Sequence, residues 1–592
     1  MGRAGRGAPG EVPGEPGRQS GRFAIPGCRH SLVVNDGAVR GSEGKPMAQA
    51  SHAHQVTNQV PPLADYDAYA ADPVLKAAIA AFDAGWADER LHEAGRTVGA
   101  AETIEMARLA NRHGPELRSH DRFGNRIDQI EFHPAWHALM ARAIGQETHA
   151  LAWNRPGPGA QVARAGLQYL WYGCESGICC PISMTYSAIP VLKQDRARWA
   201  EWGALISSKS YDKSQGPAAG KLGATVGMAM TETQGGSDLR QTQTIAYDNR
   251  DGTYSLHGSK WFFSVPHSDV FLTLARNEEG ISCFVVPGWR PDGERNGIAI
   301  QRLKDKCGNR SNASSEVEFR GAIGHMLGDP GRGLRTGLSM NHNTRLDIAA
   351  ASAGLMRQAV MLAGHHAQHR TAFQRLLIDQ PIMQNVLADL AIEAEAAAWL
   401  AFRLFAAVDR QEQSESEKLL ARIGAPLAKY WVAKRAPAVV VEALECHGGN
   451  GFIEENPMAR HYREAPLNSV WEGSGNVICL DVLRSLEREP GSLQALRAEL
   501  HAVSGQDRRY DVALQALDND LHDLIRHEGQ ARLLTERLAL MLQGALLIRH
   551  APHAVADAFV ATRLGGHWSG HFGDLPLAVD AATLARRAVP EV

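Results

Sequence analysis

The apolar residues of this chain change period twice, and that change restricts the fold more than any other feature. From about residue 60 to 225, segments such as LKAAIAAFDAGW, AAETIEMARLANRHG and AWHALMARAIG place apolar residues at three- and four-residue spacing, broken by Gly and Pro. Near 226 the spacing shortens to short β-rich runs, Val270-Phe-Leu-Thr-Leu-Ala and Ile281-Ser-Cys-Phe-Val-Val among them. These are separated by Asn-Arg-Asp-Gly, Asn-Glu-Glu-Gly and Pro-Asp-Gly turns. At Gly333 helical spacing returns, in long Ala-rich runs suited to antiparallel packing. The order helix, sheet, helix predicts an α+β chain.

A chain of 592 residues exceeds one compact core, since domains usually hold about 100 to 200 residues. The breaks predict a helical domain over 47–226, a central β domain over 227–331, a helical bundle over 332–488 and, after Glu489-Pro-Gly-Ser, an extra helical domain over 489–592. Residues 1–46 are rich in Gly, Arg, Pro and Glu, with few large apolar groups; they are expected to be a disordered arm, or an over-extended start ahead of Met47. A net charge of −3 excludes a whole-protein basic field, so any nucleic-acid contact must come from a local patch. Eight cysteines lie scattered without paired C-x-x-C spacing and read as reduced thiols of a cytoplasmic protein; Cys174, Cys179 and Cys180 read as buried thiols, and no metal is expected. The apolar stretch Leu538–Ile548 is far shorter than the roughly 20 residues of a membrane span and is expected to be a core helix.

Four motifs carry chemistry. Met230-Thr-Glu-Thr-Gln-Gly-Gly-Ser-Asp238 opens the β unit, where small residues and hydroxyls let backbone amides approach a flat ring and a pyrophosphate. Gly258-Ser-Lys-Trp-Phe-Phe-Ser264 offers aromatic groups beside a strand. Arg370-Thr-Ala-Phe373, followed by Leu387-Ala-Asp389, offers a guanidinium suited to a diphosphate. Glu445-Cys-His-Gly-Gly-Asn-Gly451, Arg463-Glu464 and Trp471-Glu-Gly-Ser-Gly-Asn476 form the most specific run.

Together these resemble the signatures of the acyl-CoA dehydrogenase family, which implies the fold of that family, a helical domain, a barrel-like β domain and a helical bundle, with FAD as cofactor. The resemblance places Met230, Thr231, Gly236, Ser237, Trp261, Phe262, Phe263 and Ser264 on the flavin, together with Gly448, Gly449, Trp471, Gly473, Ser474 and Asn476. It also implies that Arg370 and Phe373 reach the FAD of a neighbouring subunit, although Gln374 stands where the family has Gly and Pro381 where it has Gln. Dehydrogenation of an acyl thioester needs one carboxylate to take the α-proton while the β-hydride leaves to the flavin. Glu472 occupies the family's Glu-Gly-(Thr/Ser) base position; a minority of members place the base immediately before an Arg, and there this chain has Thr344, before Arg345. Arg463 is expected to be a structural ion-pair partner.

Further segments, His54-Gln-Val-Thr-Asn-Gln, Phe132-His-Pro-Ala-Trp-His, Arg302 to Ser314 and Asn468-Ser-Val-Trp, resemble the alkylation-response, AidB-like branch of that family. The branch resemblance implies a homotetramer, weak isovaleryl-CoA dehydrogenation, and double-stranded DNA binding through an added C-terminal domain, with Arg484 and, more loosely, Arg563 as contacts. The arginines of the tail read equally as helix-to-helix ion pairs, because the tail is not net basic. An ordinary metabolic acyl-CoA dehydrogenase and an acyl-CoA oxidase are the competing functions.

Overall fold

The computed structural model describes residues 56–566 and 568–590; the expectations for residues 1–46, Cys28 among them, lie outside the described residues. The first helix, Pro73–Ala81, begins where a polar side chain meets the free amides of the first turn. Asp72 accepts from Val74 N and Leu75 N at 3.1 Å, with Pro73 at the first helical position. Two helices matter for the site, α1 (Ala160–Cys174) and α2 (Cys179–Leu192); every residue of α1 is buried.

The first unit is not all-helical. A hairpin of β1 (Glu116–His120) and β2 (Arg126–Glu131) lies within it. Its strands are polar and half-exposed, so no apolar alternation announces them; the turn is made by Asp121, whose carboxylate accepts from Phe123 N and Asn125 N, and by Gly124 at φ +87°.

The β domain holds β3 (Val226–Ala229), β4 (Ile245–Asp248), β5 (Tyr254–Ser264), β6 (Val270–Asn277), β7 (Gly280–Pro287), β8 (Ile298–Leu303) and β9 (Ser314–Leu327). Their order is β3-β5-β4-β6-β7-β9-β8, and added pairings of β3 with β6 and β5 with β9 curl the sheet back on itself. Phe263, Phe271, Phe284 and Phe319 fill its interior.

Helices resume with α3 (Gly333–His369), α4 (Pro381–Arg410) and α5 (Glu415–Glu445), then α6 (Gly475–Arg488). The 37-residue α3 is long and apolar enough to cross a membrane, but its apolar window is 94% buried against its neighbours, as a core helix requires. Beyond Glu489 come α7 (Pro490–His501), α8 (Arg508–Arg526) and α9 (Ala531–His550), and Leu538 to Leu547 of α9 are buried, as a core helix is expected to be.

Several arginines of the tail are spent on acids. Arg497 pairs with Asp518, Arg509 with Asp507 and Asp557, Arg537 with Asp520 and Arg549 with Glu499. Arg563 corrects an expectation: its side chain is 0% exposed, held by Asp389 at 2.5 Å and Glu393 at 2.9 Å of α4, and a guanidinium sealed there cannot meet a phosphate. It fastens the C-terminal segment to the bundle. Replacing Arg563 with Met leaves two buried carboxylates short of a partner, which typically costs about 3–5 kcal/mol. The expected result is a melting temperature several degrees lower by calorimetry, with no loss of nucleic-acid retention beyond that due to unfolding.

Candidate active site

The residue in the base position is presented by a strained turn. Glu472 (φ +56°) and Gly473 (φ +110°) both adopt left-handed backbone between a 3-10 turn, Ala465–Ser469, and α6. For glutamate that conformation is unfavourable and persists only where the surroundings hold it. Arg345 of α3 donates from Nε to the Glu472 carbonyl at 3.2 Å and from Nη1 to Asp481 at 2.6 Å. Lys429 of α5, fully buried, donates to the Gly473 carbonyl. Thus the carbonyls on both sides of the turn are gripped by cations. Asn468, also buried, anchors the preceding segment: its Oδ1 accepts from Tyr172 of α1 at 2.8 Å and from Trp471 Nε1 at 3.0 Å, and its Nδ2 donates to Ser352 of α3 at 3.0 Å.

The Glu472 carboxylate lines a cavity of about 40 Å³ between α1, α2 and α3. Thr344 lines the same cavity, so the two positions at which the family resemblance places a base converge on one chamber, and here one carries carboxylate and the other hydroxyl. With its amide nitrogen turned toward the carboxylate, Asn341 donates to Glu472 Oε2 at 3.1 Å. A second acid in the wall, Asp347, is already committed: it pairs with buried Arg164 and accepts from Ser183 at 2.5 Å. Burial pushes the Glu472 carboxyl above the usual range, against the pull of the Thr344 hydroxyl, Arg345 and Lys429. Lys429 is pushed down to about 7, chiefly by burial and then by Arg345. Cys179 and Cys180 also line the cavity as buried free thiols, and burial raises Cys180 to about 12, far from a reactive thiolate.

The aromatic motif owes its geometry to a bulge. Between Lys260 and Phe263 the register slips, three steps on β5 against two on β9, so that Trp261 and Phe262 are both exposed. Phe263 corrects an expectation: it is completely buried inside the barrel against Phe271, with ring centroids 4.7 Å apart, and cannot face a cofactor. Lys304 sits 3.5 Å from the Trp261 ring centroid. The adjoining loop is pinned by a buried pair, Lys260 to Glu232 at 2.7 Å, and by Trp261 N donating to Thr231 O at 2.9 Å. A Cβ on Gly236 would come within 2.4 Å of the Thr231 hydroxyl, so any larger residue there would displace the Thr231 side chain. Ser237 is exposed on this loop and Ser264 ends β5. Met230 and Trp471 pack against one apolar cluster, which brings the β loop and the Glu472 turn together. Asn476 is turned elsewhere, its oxygen accepting from Arg532 of α9 at 2.8 Å. These exposed rings, small residues and open backbone fit a flavin.

Arg370, Phe373, Gly448 and Gly449 form a separate group. Arg370 donates to the Asn58 carbonyl, and Asn450 to Gln59 at 3.2 Å, so one N-terminal segment bridges the two motifs. Among the described residues no hydrogen bond or ion pair joins this group to the Trp261 loop. Phe373 is 90% exposed at the tip of a two-residue turn in which it and Gln374 both take positive φ, +52° and +66°. That explains the glycine of the family signature at the Gln374 position. Arg463 forks onto Glu454 at 2.6 and 3.0 Å, a structural ion pair.

Sequence reasoning passed over Asn341 and Lys429, and met Asn468 and Lys304 only within segments that mark the family branch, with no role at the site. Lys429 had left a signal, a lone cation amid the apolar residues of Ala425–Ala433.

A barrel with an outward aromatic pair, joined to helical layers that carry a strained Glu-Gly-Ser turn, defines a flavin-dependent acyl-thioester dehydrogenase fold. Family models agree along the chain: the adaptive response protein AidB N-terminal domain over residues 58–213, the acyl-CoA dehydrogenase middle domain over 227–322 and its C-terminal domain over 331–487. The chain is 44% identical over 513 residues to the putative acyl-CoA dehydrogenase AidB of Escherichia coli K12, covering 86% of this chain and 94% of that protein. A Caenorhabditis elegans structure, ACDH-11 in complex with C11-CoA, superposes with a TM-score of 0.78 at 26% identity over 91% of this chain and 94% of that one. The Bd2924 apo-form superposes with a TM-score of 0.76 at 28% identity, over 83% of this chain and all of that one. The chain belongs to the acyl-CoA dehydrogenase family, within its AidB-like branch, and is an FAD-dependent oxidoreductase of the CH–CH group of acyl-CoA.

The cations about Glu472 set a sign for pH dependence. With Glu472 as the base, the role the resemblance implies, the carboxyl must be deprotonated to work, and because it is raised the rate of flavin reduction is expected to fall on acidification at a higher pH than an ordinary glutamate allows. Lys429 lowers that carboxyl when charged. Lys429→Met should therefore move the acid limb to still higher pH in anaerobic stopped-flow reduction; an unmoved limb would mean that its charge does not reach the base.

Proposed function

We propose that the protein removes hydrogen across the α,β bond of a short, branched acyl-CoA such as isovaleryl-CoA, as a flavoprotein of the adaptive response to DNA alkylation. The observation that carries the chemistry is the Glu472 carboxylate, held by a doubly anchored turn over a small cavity. Glu472 takes the α-proton onto its carboxylate. Asn341 and Thr344 orient that carboxylate, and the closely packed walls, Tyr172 and Ile348 among them, exclude water and supply the apolar contact. FAD, when bound against Trp261 and Phe262, supplies the acceptor for the β-hydride. The small volume of the chamber supports a short acyl group.

Two further assignments are proposals of the same reading. A homotetramer is supported by Phe373, which stands almost fully exposed with Arg370 away from the Trp261 loop, where a neighbouring subunit's cofactor would complete it. The alkylation-response role is supported by the matched N-terminal domain and the 44% identity to AidB; a cytoplasmic location is part of the same proposal, supported by cysteines scattered without paired spacing.

Anaerobic addition of isovaleryl-CoA to the holoenzyme should bleach the flavin stoichiometrically in the wild type. Glu472→Gln should slow bleaching by roughly 10³-fold or more while leaving flavin content unchanged. A wild type that does not bleach would defeat the dehydrogenase reading, and rapid peroxide formation in air would favour the oxidase instead.

For double-stranded DNA, the proposed contact is Arg484, which is exposed on α6 and only loosely near Asp481 at 3.7 Å. Retention of a DNA duplex should weaken with salt and fall in Arg484→Ala. Equal retention by the variant would remove Arg484 from that role.

A further inference from the structure

One motif takes no part in the flavin and acyl site, the segment Phe132-His-Pro-Ala-Trp-His. Its Phe132 and His137 line a cleft of about 740 Å³ beside the hairpin β1–β2, together with Tyr211 and His267. The cleft shares His267, Asp269 and Ser214 with a smaller inner chamber of about 20 Å³ that reaches Asp128, Trp289 and Arg295. No residue assigned above to the flavin or to the acyl group lines either space.

Unmet polar atoms gather at this chamber. Asp128 is buried and at φ +44°; its Oδ2 accepts from Arg126 Nε at 2.8 Å and from Ile300 N at 3.2 Å, but Oδ1 has no partner among the described residues. Arg295 Nε and both ring nitrogens of His267 are likewise buried and unpartnered among the described residues. Buried polar atoms are almost always satisfied, and several orphans on one cavity call for an occupant. Around one chamber they offer an acceptor in Asp128, a donor in Arg295, and one of each in the imidazole. His267 is uncharged, since burial and the nearby His137 push it down to about 3.

Of the charges facing the cleft, Lys213 is exposed and has no ion-pair partner among the described residues, and the others are settled already. Asp269 pairs with Lys221 at 2.8 Å, Glu131 with Arg118 at 2.7 Å, and Asp212 accepts from Leu222 N at 3.0 Å. An anion would meet Asp128 and a cation would meet Arg295, so the complementary ligand is neutral. Its flat face would lie against the outer side of an aromatic cluster packed on itself, in which Tyr211 stacks with His137 at 29° between planes, Phe132 stacks on Trp136 at 3.9 Å and His267 stands edge-on to Phe132 at 4.6 Å.

We propose that cleft and chamber form a second binding site, apart from the flavin, for a neutral planar heteroaromatic ring with an amide-type edge. The ring lies among Phe132, His137 and Tyr211, and its adjacent N–H and C=O meet Asp128, Arg295 and His267. Nucleobases and nicotinamide share that chemistry.

The test uses full-length holoenzyme and saturation-transfer NMR with calorimetry, with guanosine and nicotinamide as probes and benzoate and cyclohexanecarboxamide as controls lacking either the neutral edge or the aromatic face. At least one probe should bind at one equivalent per chain and neither control should. His267→Phe, which keeps the ring volume, and Tyr211→Ala should each weaken binding at least tenfold. Flavin content, melting temperature and bleaching by isovaleryl-CoA should not change, which separates failure here from failure of the dehydrogenase reading. Absence of binding by both probes at millimolar concentration, binding that survives both variants, or a high-resolution structure in which ordered water alone satisfies the orphaned atoms would overturn the proposal.

Discussion

Two buried cations hold the turn on which the active site depends. Arg345 and Lys429 reach from α3 and α5 to the successive carbonyls of Glu472 and Gly473. Left-handed backbone at a glutamate has no local reason to exist, and taking a lysine out of water is costly; each is tolerable because the other is present. The carbonyls give the lysine an acceptor, and the lysine fixes the carbonyls. Asn468 completes the arrangement by tying the turn to α1 and α3, so the carboxylate enters its cavity from a position set by three helices.

The β domain contributes through one irregularity. A regular strand would alternate Trp261 and Phe262 between core and surface; the bulge opposite β9 turns both outward while Phe263 seals the barrel. The buried Lys260–Glu232 pair then fixes the glycine-rich loop beside them. Rigid support with an open polar backbone is what a large flat cofactor requires.

The C-terminal extension serves the fold first. Its arginines join helices to one another and to α4, and Arg563 shows the pattern at its strongest, enclosed with two carboxylates at the centre of the bundle. Arg484, one helix earlier, keeps its exposure. Arg484 and the looser match Arg563 thus differ in what they can touch, because burial decides whether a guanidinium has any freedom left to bind a partner.

The sequence alone determined the order of helix, sheet and helix, the family, and the positions of Glu472 and Thr344, because apolar period and short motifs are local properties of a chain. It missed the hairpin 116–131, whose polar strands carry no alternation, and it placed Phe263 on the cofactor, since a strand bulge depends on the register of β9 some fifty residues away. Only the tertiary structure decided which arginines are sealed, which carboxylate is free and which orphaned groups share a chamber. Those are outcomes of burial and partner geometry between segments remote in sequence, and a linear pattern holds no record of them.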